Sequence, residues 1–240
     1  MRHQLNIQHS RDPRINYRGA SPSRIDNLTD AVFGIAITLL IFNLLNPNSF
    51  SDLLTFTKTL PAFLLSIAML MLIWNEHLKF AEVYALDDVW LTVLNTLFIG
   101  LIIFYVYPLR FLTLFLTNLL FGIDLSLSIR GAQVPQLMIY FGLLLFAVYF
   151  VLFLMHLRAI KIRNKLDLNA FEILYTRMQL KRLVILFTVP LVSIAAILLI
   201  MPWSINWAGF TGGILYNLYT PAMILWLRHF RKLTKPEDHV

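Results

Sequence analysis

Charged side chains stand directly before the first apolar segment of this chain. Arg24 and Asp30 enclose the stretch Arg24-Ile-Asp-Asn-Leu-Thr-Asp30, and the apolar run 31–45 follows at once. Ionisable groups at membrane depth are costly in lipid and are expected to face protein or water. Arg24 and Asp30 are also too far apart in helical phase for a strong direct pair. Their predicted partners therefore lie on other helices.

The second predicted helix offers such partners. Trp74 and His77 are three residues apart and share one of its faces, with Glu76 as a further charge, while Asn95 lies on the third predicted helix. One interpretation is a buried hydrogen-bond network that also includes Thr29. The alternatives are an interfacial histidine with its own partners and a tryptophan of the aromatic belt.

A stripe follows along the first helix. Ala31, Ile35, Thr38, Phe42 and Leu45 are spaced 4, 3, 4, 3 and fall within about 80° of one another on a helical wheel. Such spacing is typical of a packing seam between helices. It would also suit a conduit, with apolar rings at Ile35 and Phe42 that gate by dewetting and Thr38 hydroxyls between them. The Thr38 hydroxyl could equally bond to its own helix at i−4.

The composition identifies the kind of protein that must hold these residues. Hydrophobic residues make up 58% of the 240 positions and charged residues only 14%, which is typical of an all-α polytopic membrane protein. The net charge of +7 is explained by the positive-inside rule, so no nucleic-acid partner is expected. The chain has no cysteine, no metal-binding or nucleotide-binding motif and no nucleophile and base that could act together at depth. We expect no enzyme and no cofactor, and the lipid bilayer as the surroundings.

Six transmembrane helices are predicted, and the apolar part of the first is too short to cross alone. Their approximate ranges are 22–45, 53–80, 89–107, 136–156, 173–201 and 207–227. Pro108 ends or kinks the third helix, and the segment 109–123 either continues it or lies at the interface, before a loop over 124–135. This arrangement places 17 of the 20 Lys and Arg residues on one side, and only Lys58, Arg110 and Arg130 on the other. The split predicts an even number of spans with both termini in the cytoplasm.

The first-helix sequence resembles the signature of the endosomal and lysosomal potassium channel family, whose bacterial members have one six-helix unit per chain. That signature reads Arg-x-x-x-Phe-Ser-Asp and is followed by small and aliphatic residues. Arg24 and Asp30 match it, whereas Leu28 stands where Phe is usual and Thr29 where Ser is usual. The strong match covers residues 24–45.

The resemblance implies a homotetramer in which the first helices line a central pore for potassium ions, selective over Na⁺ though leaky to other monovalent cations. The constriction would consist of Ile35, Leu39 and Phe42, or of Ile35, Thr38 and Phe42, and the helical wheel favours the second set. A K⁺ ion would pass near Thr38. Arg24, Thr29 and Asp30, with Trp74 and His77, would correspond to the polar network that holds helix 1 against helices 2 and 3.

We expect three parts along the chain: a mobile basic cytoplasmic leader (1–20), a single six-helix transmembrane channel domain (21–230) and a short cytoplasmic tail (231–240). The expected location is the cell membrane, the inner membrane of a bacterium, with several passes. The alternative function is a secondary transporter or proton-coupled carrier that uses Arg24, Asp30 and His77. Transporters commonly break helices at the midplane, whereas helix 1 has no proline and only Gly34, which favours the channel.

Overall fold

The computed structural model describes residues 12–19, 21–42, 48–122 and 131–234, and for Phe42 it describes the backbone alone. All regular structure within these ranges is helical, as predicted. The helices are α1 (Arg24–Phe42), α2 (Phe50–Thr57), α3 (Leu60–Tyr84), α4 (Val89–Phe121), α5 (Val134–Lys161), α6 (Ala170–Ile200), α7 (Ile205–Leu215) and α8 (Tyr219–Thr234), with 3₁₀ turns at Gly131–Gln133 and Tyr216–Leu218.

Among the described residues, four helices are long and apolar enough to cross a membrane by length and composition. They are α3, α4, α5 with its preceding turn, and α6. This supports a membrane protein, while the count of six spans stays a prediction.

The prediction of one continuous helix over about 53–80 is wrong. Ser49 caps α2 in a capping box with Asp52, so a separate helix begins there. α2 ends at Thr57, and α3 starts at Leu60 with Pro61 in its first turn. Proline is well suited to a helix start because its missing N–H has no partner there in any case.

The third predicted helix does not end at Pro108 but continues beyond it. α4 continues through Pro108 to Phe121, so the segment after the proline extends the helix. Gly122 then ends it with a left-handed φ of 63°, a conformation that glycine adopts without strain. At its other end the Asp88 side chain caps α4 by accepting from the Leu91 N–H. The predicted loop beyond Gly122 lies largely outside the described residues.

The sixth predicted helix is not continuous. α7 ends at Leu215, a 3₁₀ turn follows, and α8 runs on from Tyr219. Pro221 explains the break, because its ring clashes with the carbonyl of Asn217 and it has no N–H to donate there. Neither α7 nor α8 is long enough to cross a bilayer alone.

Within the part of the chain that the structure describes, α1 has neighbours on one side only. α5 packs along α6 and against α4, while α1 packs against α4 and α3. The buried side chains of α1 include Phe33 at 2% exposure, Ala36 at 0% and Leu40 at 2%. These residues join the core formed by α3 and α4.

Residues 12–19, which we call the N-terminal strap, are held against the helices. The Arg18 guanidinium pairs with the fully buried Glu172 at 2.9 Å. Glu172 also accepts from the Asn16 backbone N–H at 2.7 Å. Gly19 donates its N–H to the carbonyl of Glu82 at the end of α3. The predicted mobile leader is therefore attached over these residues, while residues 1–11 lie outside the description.

Candidate pore helix and its polar network

α1 has one buried and one exposed face. On the buried side Thr29 is 1% exposed and lies one turn before Phe33, in line with Ala36 and Leu40. This is the 4, 3, 4 spacing of a helix that packs along one side. The opposite side therefore determines what α1 offers to other molecules.

The exposed face of α1 carries Leu28, Ala31, Ile35, Thr38 and Ile41. Ile35 is 53% exposed and Leu28 is 56% exposed, and the side chains of Ala31 and Thr38 lie open between them. Three members of the predicted stripe, Ala31, Ile35 and Thr38, thus fall on one uncovered face of this chain. Leu45 lies outside the described residues, as does the side chain of Phe42.

The Thr38 hydroxyl has a local partner. It donates to the carbonyl of Ile35, three residues earlier, at 2.7 Å. This is close to the local bond considered from the sequence, with the acceptor at i−3 instead of i−4. The oxygen keeps its lone pairs free, so it can still face an ion. Leu39, by contrast, is partly buried and packs against the core.

Three helices meet at Asn95 of α4. Its Nδ2 donates to the Thr29 hydroxyl of α1 at 2.7 Å, and its Oδ1 lies 2.9 Å from Nε2 of His77 on α3. All three side chains are buried, at 1% to 3% exposure. The structure thus brings Asn95 together with Thr29, which lies 66 residues earlier in the chain, and with His77, which lies 18 residues earlier.

The directions of these bonds follow from the donors available. Thr29 donates its hydroxyl proton to the Ile25 carbonyl at 2.9 Å, so its oxygen is the acceptor for Asn95. The Asn95 Oδ1 can only accept, so the proton of the His77 imidazole lies on Nε2. These bonds link α1, α3 and α4 through Asn95 and stabilise how α1 sits on the other two helices.

Asp30 is held from a second direction. The Trp74 indole Nε1 donates to Asp30 Oδ1 at 2.8 Å, which joins α3 to α1 one residue beyond Thr29. The carboxylate is itself exposed, so this contact lies at the edge of the interface. Trp74 and His77 therefore act on α1 from one face of α3, as their spacing predicts.

Arg24 stands apart from the network in this chain. Its side chain is exposed and forms no hydrogen bond or ion pair with any other residue that the structure describes. Glu76 likewise bonds elsewhere, to Arg182 of α6 at 2.9 Å and Lys79 at 3.4 Å. The role of Arg24 stays a prediction.

Two contacts that stabilise this site were not predicted from the sequence. Phe98 stacks on the His77 ring, with centroids 5.1 Å apart and planes within 12°. It lies three residues after Asn95, so the shared helical face was the available signal. Ser23 and Asp26 also cap the start of α1 reciprocally, with bonds of 3.0 and 3.1 Å. The Ser/Asp spacing of a capping box was the signal there.

The chain is similar to known proteins in both sequence and structure. The model of the family "Endosomal/lysosomal potassium channel TMEM175" matches residues 24–105. A protein of Marivirga tractuosa named "Potassium channel" is 37% identical over 225 residues, which are 90% of this chain and 91% of that protein.

Two solved structures are similar to this chain. The potassium channel MtTMEM175, crystallised as a T38A variant with a nanobody–MBP fusion, has a TM-score of 0.81 and 35% identity over 92% of this chain and 99% of that one. A lysosomal potassium-selective channel TMEM175 homologue from Chamaesiphon minutus has a TM-score of 0.55 and 21% identity, covering 85% of this chain and 96% of that one. The second likeness shows the fold alone.

Proposed function

Because this chain belongs to the TMEM175 family of endosomal/lysosomal potassium channels, we propose that four copies form a K⁺ channel in which the α1 helices surround the ion path. The family resemblance drawn from the first helix is thereby confirmed. The observation that carries the proposal is the uncovered face of α1, on which Ile35 is 53% exposed and Thr38 lies open. In the proposed tetramer this face turns toward the symmetry axis.

The constriction consists of Ile35, Thr38 and Phe42 in this proposal. The exposure of Ile35 and Thr38 supports this set, whereas the partial burial of Leu39 against the core speaks against the set that includes it. Rings of isoleucine exclude water when the pore is narrow, and the Thr38 oxygens replace part of the hydration of a passing K⁺ ion. We propose a preference for K⁺ over Na⁺ with some passage of other monovalent cations.

The polar network positions α1 and does not bind the ion. Thr29 and its partner Asn95 are buried between helices, away from the exposed face. Their bonds hold the rotation of α1 that turns Ile35 and Thr38 outward from this chain. Asp30 and Trp74 add a second fixed point at the edge of the same interface.

We place the channel in the inner membrane of a bacterium, with six membrane crossings and both termini in the cytoplasm. The support is the distribution of Lys and Arg along the chain, since basic residues concentrate on the cytoplasmic side of membrane proteins. The basic residues at the end of α5, Arg158 and Lys161, lie on the same side as the N-terminal strap in this arrangement.

The purified full chain in liposomes with a K⁺ gradient tests the function. We expect resolvable single-channel currents that are larger in K⁺ than in Na⁺. Saturable countertransport without resolvable currents would establish a carrier and overturn the proposal. Empty liposomes prepared in the same detergent serve as the control for leak.

A further inference from the structure

A large cavity lies among the helices α3 to α8. It measures about 830 Å³ and is enclosed by α3, α4, α5, α6, α7 and α8, with no described residue of α1 in its wall. Sites for small organic ligands range from about 300 to 1,000 Å³, so this one holds a molecule at the upper end. The cavity is distinct from the proposed ion path.

The cavity extends along several turns of α4. Its wall follows α4 from Tyr105 to Leu119, a distance of about 21 Å at ~1.5 Å per residue. Its rim includes Leu72 at 64% and Phe210 at 60% exposure, on the outer surface of α3 and α7. In a membrane this opening faces acyl chains, so a hydrocarbon tail can enter from the lipid.

The charged residues and the tyrosines lie toward one end of the wall, whereas Asn206 lies beside Gly131, just before α5. On α4, Tyr105 is followed along the wall by apolar Leu112, Phe115 and Leu119. Glu76 and Arg182 are the charged residues of the described wall, and they form an ion pair of 2.9 Å. Since these two charges neutralise each other, the cavity offers no unpaired charge to a ligand's head group.

Three tyrosines in the wall, Tyr105, Tyr149 and Tyr216, have hydroxyls that bond to no other residue that the structure describes. Tyr105 is 1% exposed and Tyr149 is 7% exposed, and neither hydroxyl bonds to another residue that the structure describes. Tyr219 in the same wall differs, because its hydroxyl donates to the Leu186 carbonyl at 2.7 Å. Buried polar groups in proteins are nearly always hydrogen-bonded. The hydroxyls of Tyr105 and Tyr149 therefore point to a polar group on a molecule that occupies the cavity.

We propose that this cavity binds a single-chain amphiphile with an uncharged, hydroxyl-bearing head group. The head group exchanges hydrogen bonds with Tyr105 and Tyr149, and the tail lies along α4 toward Leu119. An anionic head group would have to compete with Glu76 for Arg182 and would leave that buried carboxylate with Lys79 alone, at the longer distance of 3.4 Å, which is costly. The site is independent of which ion the channel passes.

Photolabelling of the full chain in phosphatidylcholine vesicles tests this proposal. The probe is hexadecanol that carries a mid-chain diazirine, compared with hexadecanoic acid that carries the same group. After illumination, the labelled residues are mapped by peptide mass spectrometry. We expect adducts of the alcohol on Leu112, Phe115 or Met138 within the cavity, and weaker labelling by the acid.

Gly213→Leu fills the cavity and has a matched control. A Cβ added at Gly213 would meet no atom within 4 Å, and Gly213 lines the cavity, so we expect leucine there to take up space that the tail would need. Gly100 on α4 has equally open surroundings but does not line the cavity. Gly213→Leu should abolish the cavity adducts, and Gly100→Leu should leave them unchanged.

The hydroxyls are tested by Tyr105→Phe and Tyr149→Phe, which preserve the ring and its packing. Each should reduce labelling by the alcohol about fivefold, as the loss of one neutral hydrogen bond would. Tyr107→Phe and Tyr140→Phe, at exposed tyrosines of α4 and α5, are the controls. Three results would overturn the proposal: labelling confined to the outer surface, equal labelling by the acid, or labelling by the alcohol that is unchanged in both Tyr105→Phe and Tyr149→Phe. So would crosslinks from the cavity wall to a second copy of the chain.

Discussion

Asn95 is the side chain on which the placement of α1 depends most. It is 2% exposed and is the only bridge in the described residues that joins Thr29 of α1 to His77 of α3. Its removal leaves the His77 Nε2–H without an acceptor and takes away the donor to the Thr29 oxygen, although the Thr29 hydroxyl keeps its bond to the Ile25 carbonyl. Such a loss costs about 1–3 kcal/mol in a buried site, and individual interhelical bonds in membranes are worth about 0.6 kcal/mol on average.

Asn95→Ala should therefore lower the thermal unfolding temperature of the detergent-solubilised protein and reduce K⁺ current. The K⁺/Na⁺ preference of the remaining current should be unchanged, since Asn95 does not face the ion. Asn118→Ala is the matched control, because Asn118 lies exposed near the end of the same helix. Unchanged stability in Asn95→Ala, or an altered ion preference, would contradict the positioning role.

Substitution of Thr38 should change the preference for K⁺ over Na⁺ and leave the stability of the fold unchanged. Thr38→Ala removes an exposed hydroxyl whose bond within the protein is to its own helix, so the fold should be unaffected. We expect a change in the K⁺/Na⁺ permeability ratio, measured as a reversal potential. Thr96→Ala on α4 removes a similar exposed hydroxyl, bonded to Thr92, and should change nothing. If both variants keep the parental ratio, Thr38 does not line the path.

At the scale of the element, α1 is a helix that depends on its neighbours. Lipid chains are as apolar as leucine, so burial of Phe33 and Leu40 against α3 and α4 gains little from the hydrophobic effect inside a membrane. Close packing around Ala36 and the bonds of Thr29 and Asp30 supply the specificity instead. The reciprocal cap of Ser23 and Asp26 sets where α1 begins.

A substitution at Gly19 tests the attachment of the N-terminal strap to the end of α3. An added Cβ would lie 2.3 Å from the carbonyl oxygen of Ala81 and 2.9 Å from the Cα of Glu82, both backbone atoms that cannot turn away. Gly19→Ala should therefore detach the strap from the end of α3 and lower the unfolding temperature. Limited proteolysis should cut the variant near residue 19 faster than the parent protein. Gly100→Ala, where nothing lies within 4 Å, should match the parent in both measurements.

Much of this arrangement follows from local sequence. The apolar runs predict the helices, and the three-residue spacing of Trp74 and His77 predicts that they share one face of α3, from which they contact Asp30 of α1 and Asn95 of α4. The breaks before Leu60 and at 216–218 were missed, because a proline in a long apolar stretch can start, bend or break a helix. Tertiary packing, which the pattern does not encode, decides among these outcomes.

The partners of Arg24 and Glu76 show the same limit. Both were candidates for one network because both are charged and close to it in sequence. Glu76 instead pairs with Arg182, more than a hundred residues away on α6, and Arg24 lies exposed. Charge identifies which side chains need a partner, but the helix arrangement determines which partner is within reach.

At the scale of the whole molecule, one face of α1 is covered by α3 and α4 while the other is open. In the proposed tetramer the open faces meet around the axis, and the rest of each chain forms the wall that separates them from lipid. The cavity behind α4 lies within that wall and away from the path. This division assigns ion passage to α1 and support to the other helices.

Silver modification of a single cysteine tests the central claim most directly. The chain has no native cysteine, so Ile35→Cys or Thr38→Cys introduces the only thiol. Ag⁺ is a monovalent, thiol-reactive cation that can follow the path of K⁺. We predict that Ag⁺ irreversibly blocks the K⁺ current of both variants in liposomes and leaves Leu143→Cys, on the exposed surface of α5, unblocked. Full K⁺ current in both α1 variants after exposure to Ag⁺ would show that α1 does not line the ion path.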